Sequence, residues 1–294
     1  MSSWLPAGPL WRLAERSVFW PMALMVIALS LVTWAGRRRQ APQAAAARAV
    51  LFPVVVVLAF ARIDAAWAFP PRQPLDFLPL FAAIAGVGDY LLPARTHPLR
   101  RRLPFAFLIL TATAAVLLAP LASSQPLWVV GAALLVGIIG SASWRLLEDL
   151  DTKTTPAGLL PLAGMAAANL VIAPWTGSLL LGELSGSLAA SLAVWMIGTD
   201  SRRPLQIPAG TGVRGFSIVF LSGLLLMEDA YSATPTDLLA TLLAAVPLTA
   251  LLVFLAGRHL PRAARLLLAA GACALPAAIA LVMAHGLYVT QGGY

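Results

Sequence analysis

Ten runs of about 20 mostly apolar residues follow one another along the chain, and each can cross the hydrocarbon core of a bilayer as a helix. They cover residues 17–36, 46–67, 75–93, 103–122, 126–146, 157–174, 178–198, 213–230, 236–257 and 264–288. The runs lack the alternation of polar and apolar residues that is typical of membrane β-barrel strands. The sequence therefore predicts an all-α fold, a polytopic transmembrane helix bundle with about ten spans.

The composition excludes several other classes of protein. Of the 294 residues, 60% are apolar and 11% are charged. An average soluble domain has about 45–50% apolar and about 25% charged residues. A water-soluble enzyme of this size could not cover its surface with so few charges. The single cysteine, Cys273, excludes a disulfide framework within the chain.

The basic residues predict the orientation of the bundle. If the N-terminus is external, sixteen of the 20 lysines and arginines fall on the inner side, and only Arg12, Arg16, Arg62 and Arg72 fall outside. Cytoplasmic loops of membrane proteins carry such an excess. We therefore predict that both termini are external and that residues 1–294 form a single integral membrane domain. The expected location is the plasma (inner) membrane of a bacterium, and the net charge of +8 does not indicate nucleic-acid binding.

Two aspartates lie where apolar runs end on the inner side. Asp89 follows a helical stripe of small residues that includes Ala82 and Gly86, and Asp200 follows one that includes Gly186. Small residues mark faces where membrane helices approach closely, and an ionisable group at membrane depth needs a reason to be there. We expect both carboxyl groups to point into the bundle at the same depth. Alternatively, each aspartate pairs with an arginine of a neighbouring loop.

The remaining acidic residues form weaker patterns. Glu148 and its acidic neighbours at 149–151 are expected to form a solvated inner loop, and Glu228 is expected to be external and solvated. Neither metal-ligand spacing nor a glycine-rich phosphate loop occurs in the sequence. We therefore expect no metal and no cofactor.

Two segments resemble the YhhN-like lysoplasmalogenase family of polytopic membrane proteins. Residues Phe81–Pro93, which end in Gly-Asp-Tyr-Leu-Leu-Pro, resemble the family signature that closes the third helix, and the basic segment Arg95–Arg102 follows as in the family. Residues Ile197–Ser201 resemble the family's Ser-Asp-Ser at the end of the seventh helix. The resemblance covers roughly residues 15–230, so residues 1–230 are expected to form the lysoplasmalogenase-like bundle and residues 231–294 two additional helices.

The chain departs from the family pattern at several positions. Phe52 stands where the family has a lysine, Thr199 replaces a serine, and the fourth run from Leu103 lacks the family's histidine. The departures concern catalysis more than the fold, so whether the chain is an active enzyme stays open.

The resemblance implies a hydrolase that cleaves the vinyl-ether bond of lysoplasmalogens. Such cleavage needs an acid that protonates the vinyl carbon and a carboxylate that assists the attack of water. Two carboxyl groups in one low-dielectric cavity supply both forms, so Asp89 and Asp200 are the expected catalytic pair. Arginines bind phosphate well, and those expected to hold the lipid phosphate are Arg95, Arg102, Arg202 and Arg203.

Two other functions remain open. A ten-helix proton-coupled exporter of small molecules would also have this size, although it would favour acidic residues near the midplane and an internal repeat. A non-catalytic membrane protein of the same fold would use its carboxylates only to pair with arginines. The expected partners are the bilayer and a lipid or small-molecule substrate, without nucleic acid, and the oligomeric state is open.

Overall fold

A computed structural model describes most of the chain. The described residues are 14–36, 41–64, 67, 69–92, 98–150, 157–199, 211–232, 246, 248–249, 251–252, 255 and 260–290. Within these residues the regular structure is helical and there is no strand. The predicted all-α helix bundle is therefore confirmed.

Nine α-helices lie within the described residues. In chain order they are α1 (Trp20–Gly36), α2 (Ala41–Ile63), α3 (Leu78–Leu91), α4 (Pro98–Leu117), α5 (Pro126–Leu150), α6 (Leu160–Trp175), α7 (Leu179–Thr199), α8 (Val213–Tyr231) and α9 (Arg262–Thr290). A π-helical turn at Glu15–Phe19 precedes α1, and short 3-10 helices lie at Pro74–Phe77, Ala119–Leu121 and Ala157–Leu159. The nine helices coincide with nine of the ten apolar runs, whereas most of the run 236–257 lies outside the described residues.

Proline and glycine set several of the helix boundaries. Helices α4 and α5 begin at Pro98 and Pro126, where the missing N–H of proline costs no helical hydrogen bond. The turn between α6 and α7 places Gly177 at a φ of +98°, a conformation that glycine adopts without a steric penalty. The N–H of Ser178 donates to the carbonyl of Ala173 at 2.7 Å and closes this turn. The tight connection lets α6 and α7 pack side by side.

Helix α8 lies at the centre of the bundle, and 15 of its 19 residues are buried. It packs against α3 at very short range. A Cβ atom at Gly86 would lie 2.9 Å from the carbonyl oxygen of Gly212, and one at Gly215 would lie 2.7 Å from that of Ala85. Small residues allow this approach, which is the usual way in which membrane helices gain packing energy.

Aromatic rings join α8 to its other neighbours. Phe52 of α2 packs edge-on against Trp195 of α7 at 5.6 Å between ring centroids, and against Phe216 of α8 at 5.7 Å. Further along the same two helices, Phe60 of α2 and Phe220 of α8 form a similar pair at 6.1 Å. Such edge-to-face contacts contribute about 0.5–1.5 kcal/mol each beyond the area they bury. They fix α2 and α7 against the central helix.

The helix ends that carry the expected site meet at one end of the bundle. The C-terminal ends of α3 and α5 and the N-terminal ends of α4 and α8 contact one another through Asp89, Trp144, Arg102 and Arg214. We call this the Asp89 end. The basic segments at 93–97 and 200–212 connect to these helix ends in the sequence.

The outer faces of the helices are apolar. Among the described residues, four helical segments are long and apolar enough to cross a membrane: Pro74–Leu91, Pro126–Glu148, Leu179–Gly198 and Leu267–Thr290. Large side chains such as Leu108, Ile138 and Val282 are 59–72% exposed on these and neighbouring helices. Monomers in water rarely expose so much contiguous apolar surface, so the bundle is compatible with an integral membrane protein.

The contact between α3 and α8 gives a stability prediction. Gly86→Ala is expected to lower the free energy of unfolding by about 1–3 kcal/mol, because the new methyl group meets a backbone carbonyl that cannot rotate away. Gly131→Ala on α5 is the control, since nothing lies within 4 Å of its Cβ position. Thermal unfolding of the purified protein in detergent measures both variants. Equal unfolding temperatures for the two would contradict the close approach.

Candidate functional site

Asp89 lies in the last turn of α3 and is 1% exposed. Its carboxylate accepts hydrogen bonds from two other helices and from a backbone amide. Arg214 Nη2 of α8 lies 3.0 Å from Oδ1 and 3.4 Å from Oδ2. The indole Nε1 of Trp144 on α5 donates to Oδ1 at 3.2 Å, and the N–H of Gly212 donates to Oδ2 at 2.8 Å. Three donor residues, from α5 and from the N-terminal end of α8, therefore converge on one buried carboxylate.

Each of these partners is a hydrogen-bond donor, and this determines whether Asp89 fits the site as a carboxylate or as a protonated acid. An ionised carboxylate only accepts hydrogen bonds, whereas a protonated acid also has to donate one. Arg214 is also 1% exposed, so the pair is buried on both sides. Burying two opposite charges is costly unless additional hydrogen bonds satisfy them, as Trp144 and Gly212 do here. The site accommodates Asp89 as the carboxylate.

A second ion pair borders the first. The guanidinium of Arg102 on α4 donates to the carboxylate of Glu148 on α5 and to the carbonyl of Leu92. Arg102 Nη1 also lies 3.7 Å from Asp89 Oδ1, and Arg145 Nη1 lies 3.6 Å from Glu148 Oε2. We call Asp89, Arg102, Trp144, Glu148 and Arg214 the Asp89 cluster. It combines two carboxylates with two arginines between four helices.

The structure describes two of the six residues that the sequence indicated for the site. Asp89 points into the bundle, as expected from its stripe of small residues. Arg102 was expected to hold a lipid phosphate, and its guanidinium is directed at protein groups in the Asp89 cluster. The other four residues lie outside the described part of the chain: Asp200, Arg95, Arg202 and Arg203. The pairing of Asp89 with Asp200 therefore stays a prediction, and so does phosphate binding by these arginines.

Three members of the Asp89 cluster were not predicted as site residues: Trp144, Glu148 and Arg214. Glu148 was assigned to a solvated loop, and this was wrong because its side chain is only 14% exposed and binds Arg102. Helix α5 continues to Leu150, one turn beyond the apolar run, which keeps Glu148 on the same face as Trp144. For Arg214, the available signal was a lone positive charge at the start of an apolar run whose other charged residues, Glu228 and Asp229, lie at its far end.

Glu228 also differs from its expectation. It was predicted to be solvated, but it is fully buried near the C-terminal end of α8 and accepts a hydrogen bond from Thr176 Oγ1 at 3.2 Å. The prediction was wrong because α6, which ends next to Thr176, packs over this end of α8. Helix α8 thus carries one buried charged residue near each end, Arg214 and Glu228.

Comparison of the chain with known protein families gives no matching family model, and comparison with curated proteins gives no match either. Within the described part of the chain, no three His, Cys, Asp or Glu side chains are grouped as a metal site would require. What the site can do therefore follows from the Asp89 cluster. A carboxylate fixed in a low-dielectric interior can stabilise a positive charge that develops on a substrate, or accept a proton from water.

The buried ion pair gives a second stability prediction. Asp89→Leu is expected to destabilise the protein by about 3–5 kcal/mol, because the Arg214 guanidinium then loses its buried counter-charge. The double variant Asp89→Leu/Arg214→Met is expected to recover part of this loss, since no buried charge is left uncompensated. Thermal unfolding of the wild type and of both variants measures the difference. A double variant less stable than Asp89→Leu alone would show that Arg214 has a more important partner.

Proposed function

We propose that the protein is an integral membrane hydrolase of the lysoplasmalogenase type, which cleaves the vinyl-ether bond of a single-chain phospholipid. The observation that carries the proposal is the buried carboxylate of Asp89, held by three donor residues from α5 and from the N-terminal end of α8. Asp89 belongs to the Gly-Asp-Tyr-Leu-Leu segment that resembles the family signature. An ionisable group placed at such cost in a membrane bundle is a functional residue by default.

The proposed reaction needs one group to donate a proton and one to remain an anion. The acid transfers a proton to the vinyl carbon that is not bonded to oxygen, and the positive charge that results lies on the carbon next to the ether oxygen. Water adds to that carbon and loses a proton, and the hemiacetal breaks into a fatty aldehyde and the glycerol hydroxyl. Asp89 is suited to the anionic role, because its neighbours are donors. Asp200 would be the proton donor, since it is the acidic residue of Ile197–Ser201, the second segment that resembles the family.

A second candidate function is favoured by a specific observation. The oxygens of Asp89 already accept four hydrogen bonds, from Arg214, Trp144 and Gly212. A carboxylate satisfied in this way can be purely structural and join α3, α5 and α8. In that case the protein is a non-catalytic membrane protein of the same fold. The two candidates differ in whether water and substrate reach Asp89.

The proposed topology has ten spans with both termini outside the plasma membrane of a bacterium. The nine described helices and the apolar run at 236–257 support the number of spans. The excess of arginine in the segments that adjoin the Asp89 end supports the cytoplasmic position of that end. The Asp89 cluster would then face the inner leaflet.

Aldehyde release tests the hydrolase. Purified protein in lipid nanodiscs is given an alkenyl lysophospholipid, and fatty aldehyde is measured over time. Asp200→Asn is expected to lower the rate by about 10²–10⁴-fold, as loss of a general acid usually does. Glu183→Gln is the control, because Glu183 is an acidic residue near the N-terminal end of α7, whereas Asp200 follows the last residue of α7 in the sequence.

Three results separate the outcomes of this experiment. Loss of activity in Asp200→Asn and Asp89→Asn, with Glu183→Gln unaffected, supports the catalytic pair. Undiminished release in both aspartate variants removes their proposed roles. Absence of release from a folded wild-type protein favours the non-catalytic candidate.

Reporter fusions test the topology. Alkaline phosphatase fused to either terminus is expected to be active, because the enzyme folds only outside the cytoplasm. A cytoplasmic fluorescent reporter at the same positions should be dark in the periplasm and is the complementary measurement. Phosphatase activity at only one terminus would indicate an odd number of spans and contradict the proposed arrangement.

A further inference from the structure

An apolar cleft opens beside the Asp89 cluster. It lies between α5, α6 and α8, with Val246 on its remaining side. Apart from glycine and two serines, the lining side chains are aliphatic or methionine.

The two ends of the cleft differ in their surroundings. At the inner end, Ser143 directly precedes Trp144, and Ile218 lies one helical turn from Arg214. At the other end, the lining residues are Leu135 of α5 and Leu225 of α8. The eight-residue separation of Leu135 and Ser143 along α5 corresponds to roughly 12 Å. The cleft therefore extends from the charged cluster toward the apolar middle of the bundle.

The polar groups of the cleft are few. The hydroxyl of Ser143 donates to the carbonyl of Ile139 at 2.8 Å, within its own helix. Specific sites for polar ligands instead direct several polar groups at the ligand. The wall offers a ligand mainly dispersion contacts with hydrocarbon.

We infer that this cleft binds one hydrocarbon chain of an amphiphilic lipid, with the polar head at the Asp89 end. The inference deepens the proposed function, on which it rests for the identity of the substrate, and it assigns the residues that hold the chain. The narrow apolar space suits a flexible chain, and the adjoining arginines and carboxylates suit a charged head. Binding in this orientation brings the first carbons of the chain closest to Trp144 and Asp89.

Two adjacent isoleucines of α5 provide a matched pair for the test. Ile139 lines the cleft, whereas Ile138 is 59% exposed and does not line it. Ile139→Trp fills the middle of the cleft, and Ile138→Trp adds the same side chain to the outer face. The probe is a lysophospholipid with a diazirine at the middle of its saturated chain, photo-crosslinked to the protein in nanodiscs and located by mass spectrometry.

The expected result is labelling on the cleft-facing residues of α5 and α8. Ile139→Trp should lower this labelling by about tenfold, the effect of losing roughly 1.4 kcal/mol of binding, while Ile138→Trp leaves it unchanged. Excess unlabelled lysophospholipid should suppress the labelling of the wild type, which checks the site without any substitution. Labelling spread evenly over the exposed faces, unchanged by Ile139→Trp and by competitor, would show only bilayer contact and overturn the inference.

Failure of the cleft and failure of the hydrolase give different results. Asp200→Asn is expected to keep cleft labelling while it loses aldehyde release. Asp200 belongs to neither α5 nor α8, the two helices on which labelling is expected. Cleft labelling without aldehyde release in the wild type would remove the hydrolase and leave the chain-binding site. Aldehyde release without cleft labelling would overturn the site and leave the hydrolase.

Discussion

The buried ion pair between Asp89 and Arg214 depends on how closely α3 approaches α8. Gly86 and Gly215 let the two backbones come together, and the N–H of Gly212 thereby reaches Asp89 Oδ2 at 2.8 Å. In a membrane there is little hydrophobic gain when helices associate, so packing of small residues and polar contacts have to fix their positions. Here both act at the same place. The glycines set the distance between α3 and α8, and the ion pair sets their register.

The sequence was sufficient to predict a helical bundle because the apolar runs are a local signal. Nine runs became helices with boundaries within a few residues, and the stripe of small residues correctly placed Asp89 inside the bundle. The partner of Asp89 could not be predicted, because Arg214 lies 125 residues away and the pairing arises only when α3 and α8 pack. Glu148 was missed for a different reason: helix α5 extends past its apolar run, so charge alone suggested a loop. Burial of Glu228 likewise depends on a neighbouring helix.

The arrangement of the Asp89 cluster bears on access to Asp89. The side chains of Asp89 and Arg214 are 0% and 1% exposed, whereas those of Arg102 and Glu148 are 10% and 14% exposed. The second ion pair is therefore the more exposed part of the Asp89 cluster. In the proposed hydrolase, water would approach Asp89 from this side.

The apolar cleft approaches the same cluster from the other direction. Ser143 lines the cleft, and the next residue on α5, Trp144, donates a hydrogen bond to Asp89. A lipid chain and a water molecule would then meet at Asp89 from opposite sides, the chain from the membrane and the water past Arg102. The apolar lining of the cleft would favour the chain over water, because transfer of apolar surface out of water is favourable. Trp144 occupies the boundary between the two routes, with its ring packed on Phe105 at 6.3 Å and its N–H on the carboxylate.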